Sequence, residues 1–324
     1  MAKKNLLPLT NDPIFKLFFR DEKDKELLIS LLSNFLPLPE GSTIISMDIL
    51  DSELISEKTS RVKDERGKKY ILDLRVKFKR TNEKGEKEIE MANVEVQTTS
   101  RGHMTDRLLA YACRIYGEQL KEGSNYQKLH RVYSLVFMTD NLVAFKNSPR
   151  FDHVCTIREN HEPYTVFSEG LCFVIIELAK FEKKMEELLD KKHDWCYLLK
   201  NADKMKLEEQ EHFVSKGGEM AKAMERLWNL SQDEMARELY MAELKRDIDK
   251  RSWEEEAHTE GIEKGRAEGR AKGRAEGRAE GRAEGMEKGL KKTALNMIQA
   301  GLDIETIGKY TGLAKEEIES LKKS

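Results

Sequence analysis

Two short segments in which apolar and polar residues alternate constrain the fold of this chain most strongly. They are residues 70–78 and residues 93–97, and each has the pattern of a β-strand with one buried face. Asp73 lies in the first segment, and Glu95 and Gln97 lie in the second. Because successive side chains of a strand point to opposite faces, Glu95 and Gln97 share one face. The sequence therefore predicts a sheet that carries acidic and amide groups on one side.

A polar stretch that contains glycine, residues 82–85, separates the two segments and is suited to a hairpin turn. A hairpin would bring Asp73 close to the face that carries Glu95 and Gln97. Two carboxylates that converge there would form an oxygen-rich site for a hard divalent cation such as Mg²⁺. Taken alone, the same acids would also fit a simpler role, in which they balance the basic charge of the hairpin.

The order of the remaining segments predicts an α/β fold with a mixed sheet flanked by helices. Apolar spacing indicates helices before Pro37 and over residues 104–121. Short runs of β-branched and aromatic residues predict strands over residues 132–138, 154–158 and 171–181. We divide the chain into a first domain over residues 1–180, a helical extension over 181–260, a spacer over 261–290 and a small helical tail over 291–324.

The charge near the first acidic segment is strongly positive, although the net charge of the whole chain is only −2. Residues 61–80 contain nine lysines or arginines and three acidic residues, a difference of +6. A polyanionic backbone such as that of DNA would be attracted here. The side chains predicted to contact phosphate are Lys68, Lys69, Lys77 and Lys79. The alternative is a hairpin whose lysines are simply solvated.

A glycine recurs at every fourth residue from Gly261 to Gly289, mostly within the tetrapeptide Gly-Arg-Ala-Glu. On a helix with about 3.6 residues per turn, this stripe winds around the axis and does not stay on one face. Glycines at this density weaken a helix by about 8 kcal/mol in total relative to alanine. The repeat therefore predicts a semi-flexible helical spacer, and the alternative is a dedicated interaction surface.

The tail, residues 291–324, is predicted to contain three short helices, with Gly301 and Gly312 as helix ends and Asp303 as a cap. This arrangement is typical of a helix-turn-helix unit. A fragment of this size buries little apolar surface alone, so we expect it to pair with a second copy and form a homo-oligomer. Docking on the first domain and contact with DNA are the alternatives. Asp303 and Glu305 disfavour DNA contact because a recognition helix usually carries basic or amide side chains.

The chain carries no sign of a secreted or membrane protein. Its four cysteines are scattered and lack the spacing of a zinc site, and its seven histidines form no metal motif. The first residues lack the apolar stretch of a signal peptide, and no run of about 20 apolar residues is present. We therefore expect a cytoplasmic protein with no membrane partner.

An ordered set of motifs along the first domain is similar to that of a known family. The set comprises residues 11–18 (NDPIFKLF), the two acidic strands, residues 107–111 (RLLAY), residues 116–126 (YGEQLKEGSNY) and residues 132–137 (VYSLVF). In this order the motifs resemble the PD-(D/E)XK nucleases, and within them the Rpn family of recombination-promoting nucleases, also called transposases. The resemblance covers roughly residues 8–180 and recurs in the last thirty residues. It implies a PD-(D/E)XK-like sheet.

The resemblance also implies a reaction and a metal ion. Asp73 and Glu95 would hold a divalent metal together with the backbone carbonyl of Val96, with Mg²⁺ expected and Mn²⁺ or Ca²⁺ as alternatives. Gln97 stands where many PD-(D/E)XK nucleases carry lysine, and it can offer only neutral hydrogen bonds. The implied function is a metal-dependent DNA endonuclease linked to recombination, mobile elements or defence. The alternative is a DNA-binding or regulatory protein with weak or no catalysis on the same fold.

Four further residues outside the two strands belong to this interpretation. Lys16, Arg107 and Tyr111 are predicted to contact DNA, although Arg107 and Tyr111 would equally well tie their helix to the sheet. Asp12 is either an outer acid of the metal site or a cap of the first helix. We favour the cap because aspartate is common where helices begin.

Overall fold

The computed structural model describes residues 5–50, 74–82, 84–97, 103–120 and 125–323. Within these residues the chain forms strands, α-helices and short 3-10 turns. The strands are β1 (Thr43–Leu50), β2 (Leu74–Thr81), β3 (Lys87–Gln97), β4 (Val132–Met138), β5 (Asp152–Arg158) and β6 (Val166–Glu177). The helices are α1 (Asp12–Phe19), α2 (Lys25–Phe35), α3 (Met104–Gly117), α4 (Lys191–Asn201), α5 (Leu207–Ser215), α6 (Gly218–Gln232), α7 (Glu234–Gln299), α8 (Ile304–Thr311) and α9 (Lys315–Lys323).

The strands form one mixed sheet in the order β1-β2-β3-β4-β6-β5. Strands β3, β4 and β6 run parallel, and the remaining pairs are antiparallel. The predicted α/β class with a mixed sheet is confirmed. The sequence prediction omits β1, because a register shift between Ile44 and Ser46 interrupts the alternation of its apolar and polar residues. The predicted last strand, residues 171–181, begins and ends later than β6, and residues 178–180 form a 3-10 turn after β6.

The predicted hairpin joins β2 to β3. These strands are antiparallel, and Thr81 pairs with Lys87 next to the turn. The side-chain oxygen of Asn82 accepts hydrogen bonds from the backbone N–H groups of Lys84 and Glu86, at 3.0 and 2.9 Å. Gly85 has a φ of 74°, a left-handed conformation that glycine adopts without strain. The turn therefore fixes the register that aligns β2 with the acidic strand β3.

Helices cover both faces of the sheet. One face, which carries Val94 and Val96, packs against α1, α2 and α4–α6 in a single large core. The other face packs against α3, where Met91 of β3 meets Ala112 and Ile115. Because α4–α6 contribute to the same core as the sheet, the core does not divide at the domain boundary predicted near residue 180.

The start of α1 is fixed by Asn11, whose side chain accepts a hydrogen bond from the backbone N–H of Ile14. Pro13, in the first turn of α1, suits this place because proline needs no hydrogen-bond partner there. The sequence interpretation that Asp12 caps the helix is therefore wrong by one residue. Asp12 is instead the first residue of α1, and its carboxylate accepts a hydrogen bond from Lys16 one helical turn later.

The chain divides into two compact units, Met1–Lys245 and Arg246–Ser324. The glycine repeat lies within α7, so the prediction that the repeat is helical is confirmed. Apart from its chain neighbours and the adjacent backbone of α7 itself, a methyl group added at any of its glycines from Gly261 to Gly289 would meet no described atom within 4 Å. The glycines are therefore not required by close packing among the residues that the structure describes. None of the helices in the described part of the chain has both the length and the apolar character needed to span a membrane.

The tail forms a core of its own from the end of α7, α8 and α9. Ala294, Ile307 and Ile318 are fully buried against one another. The side chain of Asp303 caps α8 by accepting from the N–H of Thr306 at 2.9 Å, as the sequence predicts. Because these apolar side chains bury each other, the tail does not need a second copy for that purpose.

Candidate active site

Glu95 lies near the end of β3, on the face of the sheet that packs against α3. It is only 2% exposed, and Val136 of β4 is its neighbour in the parallel ladder. Asn93 and Gln97 lie two residues before and after it, so all three side chains share this face. Asn93 is also buried, whereas Gln97 is partly exposed. Strand β3 thus carries the Asn93 amide, the Glu95 carboxylate and the Gln97 amide side by side on one face.

The two amides hold the carboxylate of Glu95 from both sides. The Asn93 Nδ2 donates to Glu95 Oε1 at 2.6 Å, and the Gln97 Nε2 donates to Glu95 Oε2 at 3.1 Å. The guanidinium of Arg107, on α3, donates to Gln97 Oε1. Because arginine can only donate, it fixes the orientation of the Gln97 amide and directs the amide N–H toward Glu95. Arg107, Gln97 and Glu95 therefore form one directed chain of hydrogen bonds.

Arg107 and Tyr111 lie one helical turn apart on α3. The Arg107 guanidinium is 5.9 Å from the centre of the Tyr111 ring, within range of a cation–π contact. The Nε of Arg107 is buried and has no hydrogen-bond partner in the described part of the chain. The structure therefore places Arg107 against the site, where it ties α3 to β3 and keeps a positive charge close to Glu95.

Burial is the largest influence on the pKa of Glu95, and it raises that pKa above its ordinary value. The hydrogen bond from Asn93, the charge of Arg107 and the hydrogen bond from Gln97 all act to lower it. The charge of Asp12 raises it further. This carboxylate therefore lies in a setting where an added positive charge would be strongly favourable.

Asp12 brings a second acid from α1 toward the site. Lys16 donates to Asp12 Oδ2 at 2.7 Å, so this lysine is engaged with an acid and is not simply presented to solvent. The other oxygen, Asp12 Oδ1, is buried and has no hydrogen-bond partner within the described ranges. Its effect on the pKa of Glu95 places Asp12 in the electrostatic surroundings of that carboxylate.

Three of the predicted site residues, Asp73, Lys68 and Lys69, lie outside the described residues. The described part of β2 begins at Leu74, which pairs with Val94, the residue before Glu95. The remaining two predicted lysines lie further along β2. They are Lys77, which is partly buried, and Lys79, which is exposed.

Two arginines that the sequence analysis counts in the basic stretch are already neutralised by acidic partners. Arg75 donates to Glu118 at 3.1 Å, and Arg80 is buried in an ion pair with Glu90 at 3.0 Å. The positive surface along β2 is therefore smaller than the composition suggests.

Sequence reasoning did not select Asn93, although the structure gives it the shortest measured hydrogen bond to Glu95. The signal was present, because Asn93, Glu95 and Gln97 follow the same period of two. Asn93 is also buried at 1% exposure, and its Oδ1 has no partner among the described residues. It is therefore part of the site and not a surface amide.

The oxygens around Glu95 suit a hard divalent cation. Carboxylate and amide oxygens are the ligands that such ions prefer, and Asp12 Oδ1 and Asn93 Oδ1 are buried oxygens that lack partners within the described ranges. Over the same ranges, no three histidine, cysteine, aspartate or glutamate side chains form a group that could hold a metal. The residues present therefore fit one side of a metal site.

Comparison with protein families covers most of the chain. Residues 9–257 match the family described as PD-(D/E)XK nuclease family transposase. The chain belongs to this family. The resemblance drawn from the motifs is therefore confirmed, and Glu95 and Gln97 lie within the matched PD-(D/E)XK region.

Residues 287–323 match a second description, the C-terminal helix-turn-helix domain of the Rpn/YhgA-like nuclease family. This range contains the end of α7, α8 and α9, the three helices that share the small core of the tail. The two matches together support an Rpn-type member of the PD-(D/E)XK nuclease family transposases. No curated protein and no solved structure matches the chain.

Proposed function

We propose that this Rpn-type protein is a metal-dependent DNA endonuclease. The observation that carries the proposal is the Glu95 carboxylate, buried at the end of β3 and held by two amides, one of which Arg107 orients. A fold can keep a buried acid with a raised pKa only at a cost, and such groups cluster at functional sites. Incubation of the purified protein with plasmid DNA and Mg²⁺, Mn²⁺ or Ca²⁺, with a chelator control, tests the proposal.

Asp73 is proposed as the second acid of the site. It directly precedes Leu74, where the described part of β2 begins, and Leu74 pairs with Val94, the residue before Glu95. The acid of the first segment together with the acid and amide of the second form the motif by which the chain resembles the PD-(D/E)XK nucleases. This argument supports the interpretation that Asp73 and Glu95 act together.

The proposed metal would be held by Asp73, Glu95 and the backbone carbonyl of Val96, with Mg²⁺ as the expected ion. When bound, such an ion lowers the pKa of a coordinated water and neutralises charge on a phosphoryl oxygen. The chain's own residues prepare the site. Asn93 and Gln97 hold the carboxylate of Glu95 in one orientation, and Arg107 fixes the amide of Gln97. Arg107 also supplies the positive charge that Gln97 lacks in the place where related nucleases carry lysine.

The proposed DNA track includes Lys77 and Lys79. They pair with Met91 and Ile89 of β3, so they share the face of Glu95. At a rise of about 3.4 Å per residue, they lie about 14 and 20 Å along the hairpin from the level of Glu95. This row would guide a phosphate backbone toward the acidic site.

We expect the double substitution Lys77→Gln/Lys79→Gln to weaken DNA binding for all sequences alike. Each lost phosphate contact should reduce the slope of log affinity against log salt by about 0.9. The matched control is Lys250→Gln/Lys264→Gln, which removes the same charge from exposed positions of α7. Fluorescence anisotropy over a salt series measures both slopes. An unchanged slope for the first variant would assign Lys77 and Lys79 to solvent.

The tail suggests DNA as a partner, because helix-turn-helix domains commonly bind it. In this chain, however, α9 carries Glu316, Glu317 and Glu319 beside three lysines, so this helix has no net positive charge to attract phosphate. We therefore assign the cleavage chemistry and most DNA affinity to the first unit. A cytoplasmic location and a role in recombination belong to the same proposal.

A chain that ends at Glu260 retains the whole first unit, Met1–Lys245. We expect it to keep metal-dependent cleavage, because every proposed site residue precedes residue 112. The plasmid assay measures this directly, and light scattering on both chains shows whether the tail contributes to a homo-oligomer. Complete loss of nicking by a folded shortened chain would show that the tail is part of the working nuclease.

The second candidate is a DNA-binding or regulatory protein with weak or no catalysis on the same fold. The glutamine at position 97 favours it, since a neutral amide stabilises developing charge less than lysine does. Binding of plasmid DNA without nicking in any of the three metal ions would select this candidate.

A further inference from the structure

A cavity of about 390 Å³ lies beside the start of β3. Strand β3 begins at Lys87, but its pairing with β4 begins only at Met91, so its first residues have no partner strand on that side among the described residues. Ile89 and Glu90 line the cavity from there. Its volume lies within the range of small-molecule sites, and none of its described lining residues belongs to the site around Glu95.

Arg131 lines this cavity and has a hydrogen-bond donor that no described residue fills. Its Nε is buried without a hydrogen-bond partner, and its ion pair with Glu169 is 3.8 Å long, beyond hydrogen-bond distance. The guanidinium lies over the ring of Tyr133, 5.0 Å from the ring centre, so a cation–π contact holds its orientation. Because a buried donor without a partner costs free energy, this guanidinium is suited to a ligand that brings hydrogen-bond acceptors.

The charges around the cavity favour a neutral ligand. Arg80 and Arg131 bring two positive charges, and Glu88, Glu90 and Glu169 bring three negative charges. Arg80 already donates to both Glu88 and Glu90. A free phosphate or carboxylate would therefore meet no excess of positive charge here. The ligand that fits must offer acceptors to Arg131 without carrying a charge itself.

A guanine base combines these properties. Its N7 and O6 are two acceptors side by side, the edge that arginine binds most often in DNA. Its N2 amino group is a donor, for which the carboxylates of the cavity are acceptors. The rings of Tyr116 and His130 line the cavity, and a base can stack on such rings. Burial, with the charge of Lys77, lowers the pKa of His130, so this ring adds no positive charge at neutral pH.

The ring of Tyr116 is held against Gly170. A Cβ atom at position 170 would lie 2.8 Å from the Cζ and Oη atoms of Tyr116, closer than side-chain atoms can pack. Glycine therefore allows the backbone of β6 to support this ring. The cavity thus has a wall of fixed shape before any ligand enters, which reduces the ordering cost of binding.

The cavity also adjoins the lysine row of the proposed DNA track. Lys79 pairs with Ile89, which lines the cavity, and the charge of Lys77 reaches His130. The phosphate backbone that these lysines attract would therefore pass close to the cavity. A base reaches such a site only when it is unpaired, because a paired base is held inside the stack.

We propose that this cavity binds an unpaired guanine base of a DNA strand, with the Arg131 guanidinium donating to its N7 and O6. The proposal rests on DNA as the partner in the proposed function, and on no step of cleavage. The protein should then prefer DNA in which a guanine is free to leave the helix, such as single strands and mismatched duplexes.

The test measures binding of fluorescent oligothymidine strands by anisotropy, with a chelator present so that no metal-dependent cleavage occurs. We expect a strand with one central guanine to bind about tenfold tighter than a strand with one central adenine or the plain strand, as one bidentate base contact provides. Arg131→Lys keeps the charge but cannot hold two acceptors at once, so it should remove this preference and leave the salt dependence unchanged. Arg251→Lys, on the exposed surface of α7, is the matched control and should keep the preference.

Equal affinity for the three strands would overturn the proposal, and so would a preference for guanine that persists in Arg131→Lys. Guanosine alone, titrated by calorimetry, distinguishes a free nucleoside from a DNA base. Binding of guanosine without any preference among the strands would contradict a DNA base as the ligand. Should Arg131→Lys fail to fold by circular dichroism, the three strands on the unchanged protein decide alone. A protein that nicks plasmid DNA without this preference would lose only the guanine site, and one that shows the preference without nicking would lose only the cleavage.

Discussion

Glu95→Gln is expected to abolish metal-dependent cleavage of DNA while leaving the fold intact. The substitution removes the charge proposed to hold the metal but keeps the size of the side chain. Asn93 can turn its amide to accept from the new side chain, because its Oδ1 has no partner among the described residues. Loss of one such electrostatic contribution lowers a rate by about 100-fold or more. Plasmid nicking with Mg²⁺ measures the loss, and calorimetric titration with Ca²⁺ measures metal binding separately.

The control for this experiment is Asp106→Asn, which changes an exposed carboxylate next to Arg107. It should cleave as the unchanged protein does, whereas Asp73→Asn should be as inactive as Glu95→Gln. Full cleavage by Glu95→Gln with an unchanged circular dichroism spectrum would remove Glu95 from the chemistry. Absence of cleavage in the unchanged protein would instead select the binding or regulatory function.

The alternation of apolar and polar residues is sufficient to predict that Glu95 and Gln97 lie on one face of the strand, because strand geometry alone sets the face of each side chain. The contact between Arg107 and Gln97 could not be predicted this way. It depends on how α3 packs against the sheet, which is decided by long-range contacts such as that between Met91 and Ala112. The motif resemblance drew attention to Arg107, but only the structure shows which atom it binds.

Prediction of the fold from the sequence is also limited to elements whose local pattern is regular. Strands β2, β3 and β4 have regular alternation or compact apolar runs, and the sequence predicts them. The alternation of β1 is broken by its register shift near Ser46, and it was not predicted. The helices after residue 181 have apolar faces, but the sequence of each helix does not indicate which other element those faces pack against. Trp195 and Met224 prove to lie in the same core as the sheet.

Arg80 shows how composition can mislead where periodicity would not. Its positive charge assigns Arg80 to the basic stretch that would attract DNA. The alternation of side chains along β2, however, places it on the same apolar face as Leu74, Val76 and Phe78. The structure buries it there, with 5% of its side chain exposed, against an equally buried Glu90. A buried ion pair of this kind stabilises little overall, but the loss of one partner is costly.

We therefore expect Arg80→Met to lower the free energy of unfolding by about 3–5 kcal/mol at neutral pH. The substitution leaves Glu90 buried without its 3.0 Å partner, while Tyr133 and its hydroxyl remain 3.5 Å away. Lys87→Met is the control, because it removes a cation from an exposed position of β3 and should change stability little. Urea unfolding followed by circular dichroism measures both.

The dependence of this loss on pH identifies its cause. Burial raises the pKa of Glu90, and the hydrogen bond and charge of Arg80 act to lower it, so removal of Arg80 raises it further. Below that raised pKa, Glu90 is neutral in the folded protein and needs no countercharge. The destabilisation by Arg80→Met should therefore shrink as the pH falls toward about 4, near the ordinary pKa of glutamate. Arg80→Met/Glu90→Leu should recover much of the loss at neutral pH, since it removes both charges together. A loss that is independent of pH and persists in the double variant would mean that the packing of Arg80, and not its charge, stabilises this end of the sheet.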